Sequence, residues 1–278
     1  MQRSSVHLCL GIVLYQNTRR QLERLTRSLA LNRASSRCPA FDVVFLDNSP
    51  TNALEPLVEE LAPEASYRMA PRNLGFGSGH NLLMAEAFRS PDMRAYVCVN
   101  PDAVLHPDCV FELMQEVGRQ GRAGLVEALQ FPDEHPKEYN AQTHLTPWCS
   151  GCVLLITRGL YQEIGGYDEN LFMYCEDVDL SWRARAAGFT TSVAPRALAH
   201  HYVGDRPHDP KAHHRLLRSG VYLATKYGNL GAAQHWMNDY VATGGESFNV
   251  PTPPEVSAKA KSVADFAHLF YMSEVRWC

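Results

Sequence analysis

The 278-residue sequence lacks a marked excess of charge of either sign: 26 basic against 30 acidic residues give a net charge of −4 and a pI near 6.3. That balance excludes non-specific nucleic-acid binding as the main role, which needs a basic face. Long apolar runs are lacking too. The densest stretches, such as Val153–Ile156, are strand-sized and far short of the ~18 residues of a membrane span. Leu8–Tyr15 (LCLGIVLY) follows Arg3, as in a signal peptide, but no small-x-small cleavage pattern comes after it, only polar Gln16–Arg20 and a helical pattern. Cysteine is sparse for a disulfide scaffold, with eight in the chain, so reduced thiols and a cytoplasmic setting are expected. No internal repeat is evident. What remains is an ordinary globular composition, long enough for one large domain or a domain with an extension.

The first half alternates strand-like and helical patterns. Val6–Leu14 reads as a buried strand, and Thr18 as the N-cap of a helix carrying Leu22, Leu25 and Leu29. Phe41–Leu46 is a second strand, stopped by Asp47-Asn48-Ser49-Pro50, and Leu54, Leu57, Val58 and Leu61 line a second helix. Tyr67–Ala70, a Gly-rich loop over Asn73–Gly79, a helix from about His80 to Phe88 and a strand Ala95–Val99 follow. A further helix holds Val110, Leu113 and Val117, and strands are expected near Gly124–Phe131 and Cys152–Ile156. Such alternation predicts βαβ units and a mostly parallel sheet, with ligands outside the carboxyl ends of the strands. Asp47 and Asp102 both fall there. Pro132–Trp148 is polar and aperiodic and reads as a surface loop; Glu176–Gly188 reads as a short helix, Thr190–His201 as extended, and the chain beyond Arg206 as helical.

Five clusters are candidates for chemistry. Asp102, in VCVNPDAVL, is either a turn aspartate or a hard oxygen ligand for Mg2+ or Mn2+. Glu176, Asp177 and Asp179 crowd three carboxylates into four positions. They suit a helix N-terminus, yet acids that close repel unless a cation or a hydroxyl to be deprotonated needs them. His200 and His201 point to opposite faces of a strand, so at most one reaches a given site, as a structural group or a metal ligand. Asn73–Asn81 imitates a dinucleotide fingerprint but puts His80 where the third glycine belongs, so a Rossmann dehydrogenase is disfavoured. Cys149-Ser150-Gly151-Cys152 has CxxC spacing without a second ligand pair, and reads as incidental.

In this order the pieces resemble family 2 glycosyltransferases with a GT-A fold, above all the rhamnosyltransferase-like branch. The matching stretches are GIVLYQN (11–17), VVFLDNSP (43–50), RNLGFGSGHN (72–81), VNPD (99–102), the long block 151–189 with its GlyGly…GluAsp core, and HHYVG (200–204). The resemblance covers about residues 6–205. It implies an α/β fold, a GT-A domain over 1–205 with a Rossmann-like, mostly parallel sheet flanked by helices, and a helical extension over 206–278.

It also implies inverting transfer of a sugar from a nucleoside diphosphate sugar (dTDP- or UDP-linked, with rhamnose as the branch's sugar) to a hydroxyl of a glycan or lipid-linked acceptor. Asp177 would be the catalytic base with Glu176 assisting. Tyr15, Asn17, Asp47, Asn73, Asn81, Asn100 and Asp102 would bind the nucleotide sugar, with Asp47 reading the base. Gly151, Tyr174 and Glu176 would face the acceptor, and Asp102 with His201 or His200 would hold Mg2+ or Mn2+. A single in-line displacement needs one base on the acceptor and a Lewis acid on the leaving diphosphate, which agrees with this assignment. Three departures stand out: Asn100-Pro101-Asp102 replaces an Asp-x-Asp, Asp47-Asn48-Ser49 lacks the family's spacer, and Asp205-Arg206 replaces a serine. A nucleotide-sugar hydrolase or nucleotidyltransferase is the alternative, and a binding module without catalysis a third reading. Residues 206–226 carry five basic side chains against one acidic, besides three histidines. This stretch is either a solvated helix face or a contact with an anionic acceptor or the inner membrane surface.

Overall fold

The computed structural model describes residues 7–132, 135, 137–201 and 210–268. Strand β1 (His7–Leu14) is buried on both sides: Leu8, Leu10, Ile12 and Leu14 enter one core, and Cys9 the other. Period-two alternation puts the two sets on opposite faces. Helix α1 (Arg19–Ala34) starts at Thr18, whose side chain accepts from the Gln21 amide while the Gln21 side chain reaches back to the Thr18 amide. This capping box satisfies two donors that a helix start leaves open. There follow β2 (Ala40–Asp47), α2 (Glu55–Leu61), β3 (Ser66–Met69), α3 (Phe76–Ala87), β4 (Met93–Val99), β5 (Val104–Leu105), α4 (Cys109–Arg119), β6 (Ala123–Phe131), β7 (Val153–Thr157), α5 (Arg158–Ile164), α6 (Glu176–Ala186) and β8 (Thr190–His200). The chain closes with α7 (Pro210–Tyr227), α8 (Leu230–Ala242) and α9 (Ala258–Val263).

The eight strands form one sheet in the order β3-β2-β1-β4-β7-β6-β8-β5. Strands β3, β2, β1 and β4 run parallel, and so do β6 and β8; β7 is antiparallel to both neighbours and β5 antiparallel to β8. The mostly parallel α/β sheet expected from the sequence is therefore present, with two strands reversed. One face buries Leu22 and Leu25 of α1, Val58 of α2 and Val110 and Leu113 of α4. The other buries Leu83 and Met84 of α3, Leu160 of α5 and Leu180 of α6. Each such fully buried aliphatic side chain contributes about 1.5–3 kcal/mol.

A third cluster joins Trp182 of α6 and Trp148 to Leu217, Val221 and Leu223 of α7 and Trp236 of α8. The Trp182 indole meets the Tyr227 ring edge-on at 4.8 Å and the Phe266 ring at 5.0 Å. The C-terminal helices thus share a core with α6. The boundary expected at 205/206, together with Gly204, Asp205 and Arg206, lies outside the described residues.

Two expectations are corrected. Helix α3 begins at Phe76, inside the stretch read as a loop: Gly75 takes the left-handed turn (φ +80°), and the next glycines are helical because the helix packs tightly. A Cβ on Gly77 would come within 3.0 Å of the Tyr167 side chain, and one on Gly79 within 3.1 Å of Val13. These glycines face protein, not an open ligand cradle. The segment after β6 is not a plain surface loop either. Lys137 is buried, pairs with Glu127 of β6 at 2.6 Å and donates to the Trp148 carbonyl, and Trp148 itself is 1% exposed.

Candidate functional site

Strand register places the candidate residues along one edge of the sheet. Leu14 pairs with Asp47, Asp47 with Met69, Val99 with Val153 and Phe131 with His200, so the carboxyl ends of β1, β2, β4, β6 and β8 form one row. Because β7 is reversed, its start and the preceding Cys149–Cys152 join that row. The N-termini of α3 and α6 end there as well: the Phe76 amide donates to the Phe172 carbonyl at 3.0 Å, and the Gly151 amide to Asp177 at 2.9 Å. Helix N-termini bring partial positive charge to such an edge.

At the β1–β2 end, Asp47 is fully buried. One oxygen accepts from the Ser49 amide at 2.8 Å, the other from the Tyr67 hydroxyl at 2.7 Å. Asn48 donates to the Gly75 carbonyl at 3.0 Å, tying β2 to the turn before α3. The Ser49 hydroxyl accepts from the amide of Gln16, a left-handed residue (φ +52°). Asn17 accepts from the Tyr15 amide at 2.9 Å, and the Tyr15 ring stands half exposed above this corner.

Two of the asparagines expected at the nucleotide hold the backbone around α3. Asn73 accepts from the Gly75 amide at 3.0 Å and shapes the turn into α3. Asn81 donates to the Tyr167 carbonyl at 2.9 Å and accepts from the Tyr167 amide at 2.7 Å, so both ends of its amide brace the Gly165–Glu169 loop. It sits in the second turn of α3 and ties that helix to the loop. His80 is buried, 2.7 Å from the Tyr96 hydroxyl, and burial pushes its pKa down to about 3, so it is a neutral core residue.

At the β4–β8 end the structure separates the two histidines. His201 Nε2 lies 3.3 Å from an Asp102 oxygen and 3.5 Å from the Asn100 amide nitrogen. His200 instead stacks edge-on against Phe131 at 5.4 Å. His201 Nδ1 lies 3.1 Å from Gln130 Oε1. With Gln130 Oε1 accepting from Nδ1–H, Nε2 is the ring nitrogen turned toward the Asp102 carboxylate. One hard oxygen plus one imidazole with an outer hydrogen bond is a fitting partial ligand set for a divalent cation. The residues therefore fit Mg2+ or Mn2+, provided a substrate diphosphate supplies further ligands.

The carboxylate pair sits at the start of α6. Asp177 accepts from the Gly151 amide at 2.9 Å and from the Val178 amide at 2.8 Å. A Cβ at position 151 would press on the Phe76 ring at 3.1 Å, so glycine fits this close approach without displacing that ring. Glu176 is buried, with one oxygen lacking any hydrogen-bond partner. Burial, then the neighbouring Asp177 charge, pushes the Glu176 carboxyl well above its ordinary range. Burial raises Asp177 too, while its two amide donors and the Lys137 charge hold it back. Helix position alone suggests an ionised Asp177; desolvation opposes that, so the pair holds a proton on Glu176 and keeps Asp177 as the stronger acid.

Tyr174 and Cys175 precede α6 with φ of +72° and +65°, two consecutive left-handed residues that nothing in the sequence announces. Such conformations persist where surrounding contacts impose them, often at functional sites. Here the Phe172 carbonyl is held by α3, and the Met173 carbonyl accepts from Ser219 of α7 at 2.7 Å. Cys149 and Cys152 fall into the cores on opposite faces of the sheet, which agrees with their reading as incidental.

The family model of glycosyl transferase family 2 matches residues 10–180. The N-acetylglucosaminyl-diphospho-decaprenol L-rhamnosyltransferase of Mycobacterium tuberculosis is 27% identical over 245 residues, covering 73% of this chain and 78% of that protein. Rhamnosyltransferase WbbL of Escherichia coli K12 is 27% identical over 188 residues, covering 55% and 71%. Among solved structures, a Pyrobaculum calidifontis mannosyltransferase in complex with GDP-Man and Mn2+ superposes with a TM-score of 0.63 at 14% identity, covering 86% of this chain and 76% of that one. GalNAc-T7 with UDP, GalNAc and Mn2+ gives 0.60 at 12% identity, covering 85% and 54%. The fold is accordingly that of GT-A glycosyltransferases.

Proposed function

The chain belongs to glycosyl transferase family 2, and we propose that it performs an inverting, metal-dependent transfer of a deoxyhexose such as rhamnose from a dTDP- or UDP-sugar to an acceptor hydroxyl. The observation that carries this reading is the pairing, on one sheet edge, of Asp177 held by the Gly151 amide with Asp102 facing His201 Nε2. The first can take a proton from an acceptor; the second can sit beside a metal-bound diphosphate. Asp102 and His201 would hold the metal, which supplies Lewis-acid stabilisation of charge on the leaving diphosphate. Asp47, through its Ser49 and Tyr67 bonds, fixes the floor on which the half-exposed Tyr15 ring can cover a base.

Asp177 removes the proton of the acceptor hydroxyl as that oxygen attacks the anomeric carbon. Glu176, protonated, adds no second negative charge and can donate to a sugar oxygen. One base and one face of attack give inversion without the two flanking carboxylates of glycosidases. The family assignment disfavours the hydrolase or nucleotidyltransferase alternative.

The rhamnosyl donor and a lipid-linked acceptor are supported by the names of the two bacterial relatives. A peripheral contact with the inner membrane surface is supported by Lys211 and Arg215 on the first turns of α7. Arg218, by contrast, stacks on Phe248 at 4.1 Å. No helix among the described residues is long and apolar enough to cross a membrane. The test is a screen of nucleoside diphosphate sugars for metal-dependent thermal stabilisation, followed by turnover with lipid-linked saccharides. Stabilisation by a dTDP- or UDP-sugar only with Mg2+ or Mn2+ is expected, and failure of every nucleotide overturns the reading. Liposome co-sedimentation unchanged by Lys211→Gln and Arg215→Gln overturns the membrane contact.

A further inference from the structure

Lys137 is buried close to the carboxylate pair. It lies on the segment after β6, its side chain is 2% exposed, and its ammonium is enclosed by Glu127 at 2.6 Å, the Trp148 carbonyl and the face of the Trp148 ring at 4.5 Å. A lysine so buried is costly unless its charge is answered. Glu127 answers it with one oxygen and with the other accepts from the Ser150 amide. The next amide, Gly151, is the one that holds Asp177. Two consecutive peptide units thus join a buried Lys–Glu pair to the carboxylate read here as the base.

The titratable groups around Asp177 come from every neighbouring element: Glu176 and Cys175 at the start of α6, Cys98 on β4, Glu127 on β6, Cys149 before β7, Tyr167 in the loop after α5, and Lys137. Burial pushes the three thiols and the Tyr167 hydroxyl well up, so they stay neutral. Three carboxyls remain, and Lys137 is the one cation among the described residues in this set.

We propose that Lys137 is a positioning residue for the Glu176–Asp177 pair: it holds Glu127 against the Ser150–Gly151 backbone and supplies the positive charge that keeps Asp177 ionised beside two other carboxyls. Its ammonium is enclosed by Glu127 and Trp148, so it acts through the base. Without it, three carboxyls would share one poorly hydrated pocket and Asp177 would take up a proton. This rests on the reading of Asp177 as the base, and the experiment separates the two.

Carboxyl 13C NMR titration of the ligand-free protein, beside the pH profile of kcat/KM, compares Lys137→Met with Glu127→Gln. Losing the cation should move the Asp177 midpoint up by about one pH unit, and losing the neighbouring carboxylate should move it down, as nearby charges do. The acid limb of kcat/KM should follow. General loosening of the pocket does not produce opposite shifts. Should Lys137→Met fail to fold, Lys137→Gln, which also lacks the charge but keeps a donor for Glu127, takes its place beside Glu127→Gln. Unmoved midpoints in a folded variant, or shifts of one sign, overturn the inference. Midpoints that move as stated beneath a stationary acid limb support the role of Lys137 and overturn Asp177 as base.

Discussion

Lys226 of α7 and Asp179 of α6 meet at 2.6 Å inside the protein, where the aspartate is fully buried. The same ammonium lies 2.6 Å from Asp168, in the loop that leads to the carboxylate pair, and Asp179 also receives Arg183 at 2.8 Å and the Tyr227 hydroxyl at 3.0 Å. Helix α7 therefore fastens the loop carrying Asp168 to α6.

Removing one partner of a buried network leaves an unanswered charge, which costs about 3–5 kcal/mol. Lys226→Met is expected to destabilise the protein by that amount in urea unfolding. Burial would raise the Asp168 carboxyl, but the Lys226 bond and the Asn170 amide outweigh it and hold it at about 2. A carboxyl depressed on folding stabilises above its unfolded value and loses that contribution as pH falls toward its folded one. The gap between wild type and Lys226→Met should thus narrow from about pH 4 to pH 2.

Glu176 carries the opposite sign. Its carboxyl is raised on folding, so the stability it contributes is present below the ordinary value of 4.5 and lost as pH rises through its higher folded value. Glu176→Gln should raise Tm, with a gain over wild type that grows from pH 4.5 upward, and should lower kcat. A Tm gain independent of pH in differential scanning calorimetry would contradict a protonated Glu176.

Gln130 fixes the His201 ring through Nδ1 without reaching Asp102. Loss of such an outer hydrogen bond lowers metal affinity by about 10–100-fold. Gln130→Ala should weaken Mn2+ binding in the presence of nucleotide to that degree, measured by titration calorimetry. His201→Ala should abolish metal-dependent nucleotide stabilisation, and His200→Ala should spare it.

Much of this was legible in the sequence, for reasons particular to each element. The unbroken apolar run Leu8–Leu14 announces a buried strand, Thr18 a helix start, and Gly188 a helix end that its φ of +85° bears out. Asp102, Glu176 and Asp177 stand out because carboxyls after a strand and at a helix start need a reason to be there. His200 and His201 could be told apart only by register, which turns one toward Phe131 and the other toward Asp102. The Gly-rich stretch misled as a loop because glycines disfavour helix by local preference, while here close packing against Tyr167 and Val13 selects them inside α3. Lys137 and Lys226 gave no signal, since a lone lysine in a polar segment reads as solvated until the fold buries it beside distant acids. The left-handed Tyr174 and Cys175 are imposed by long-range contacts, not by local preference.

Asp177, held by the Gly151 amide, is the proposed base of glycosyl transfer. The most direct measurement is steady-state turnover and nucleotide-sugar binding of Asp177→Asn beside wild type, with the stabilising donor and metal. General-base catalysis contributes about 10²–10⁴-fold. The variant should bind the nucleotide sugar as wild type does and lose at least ~100-fold in kcat. Unchanged kcat in a folded, nucleotide-binding Asp177→Asn would contradict it.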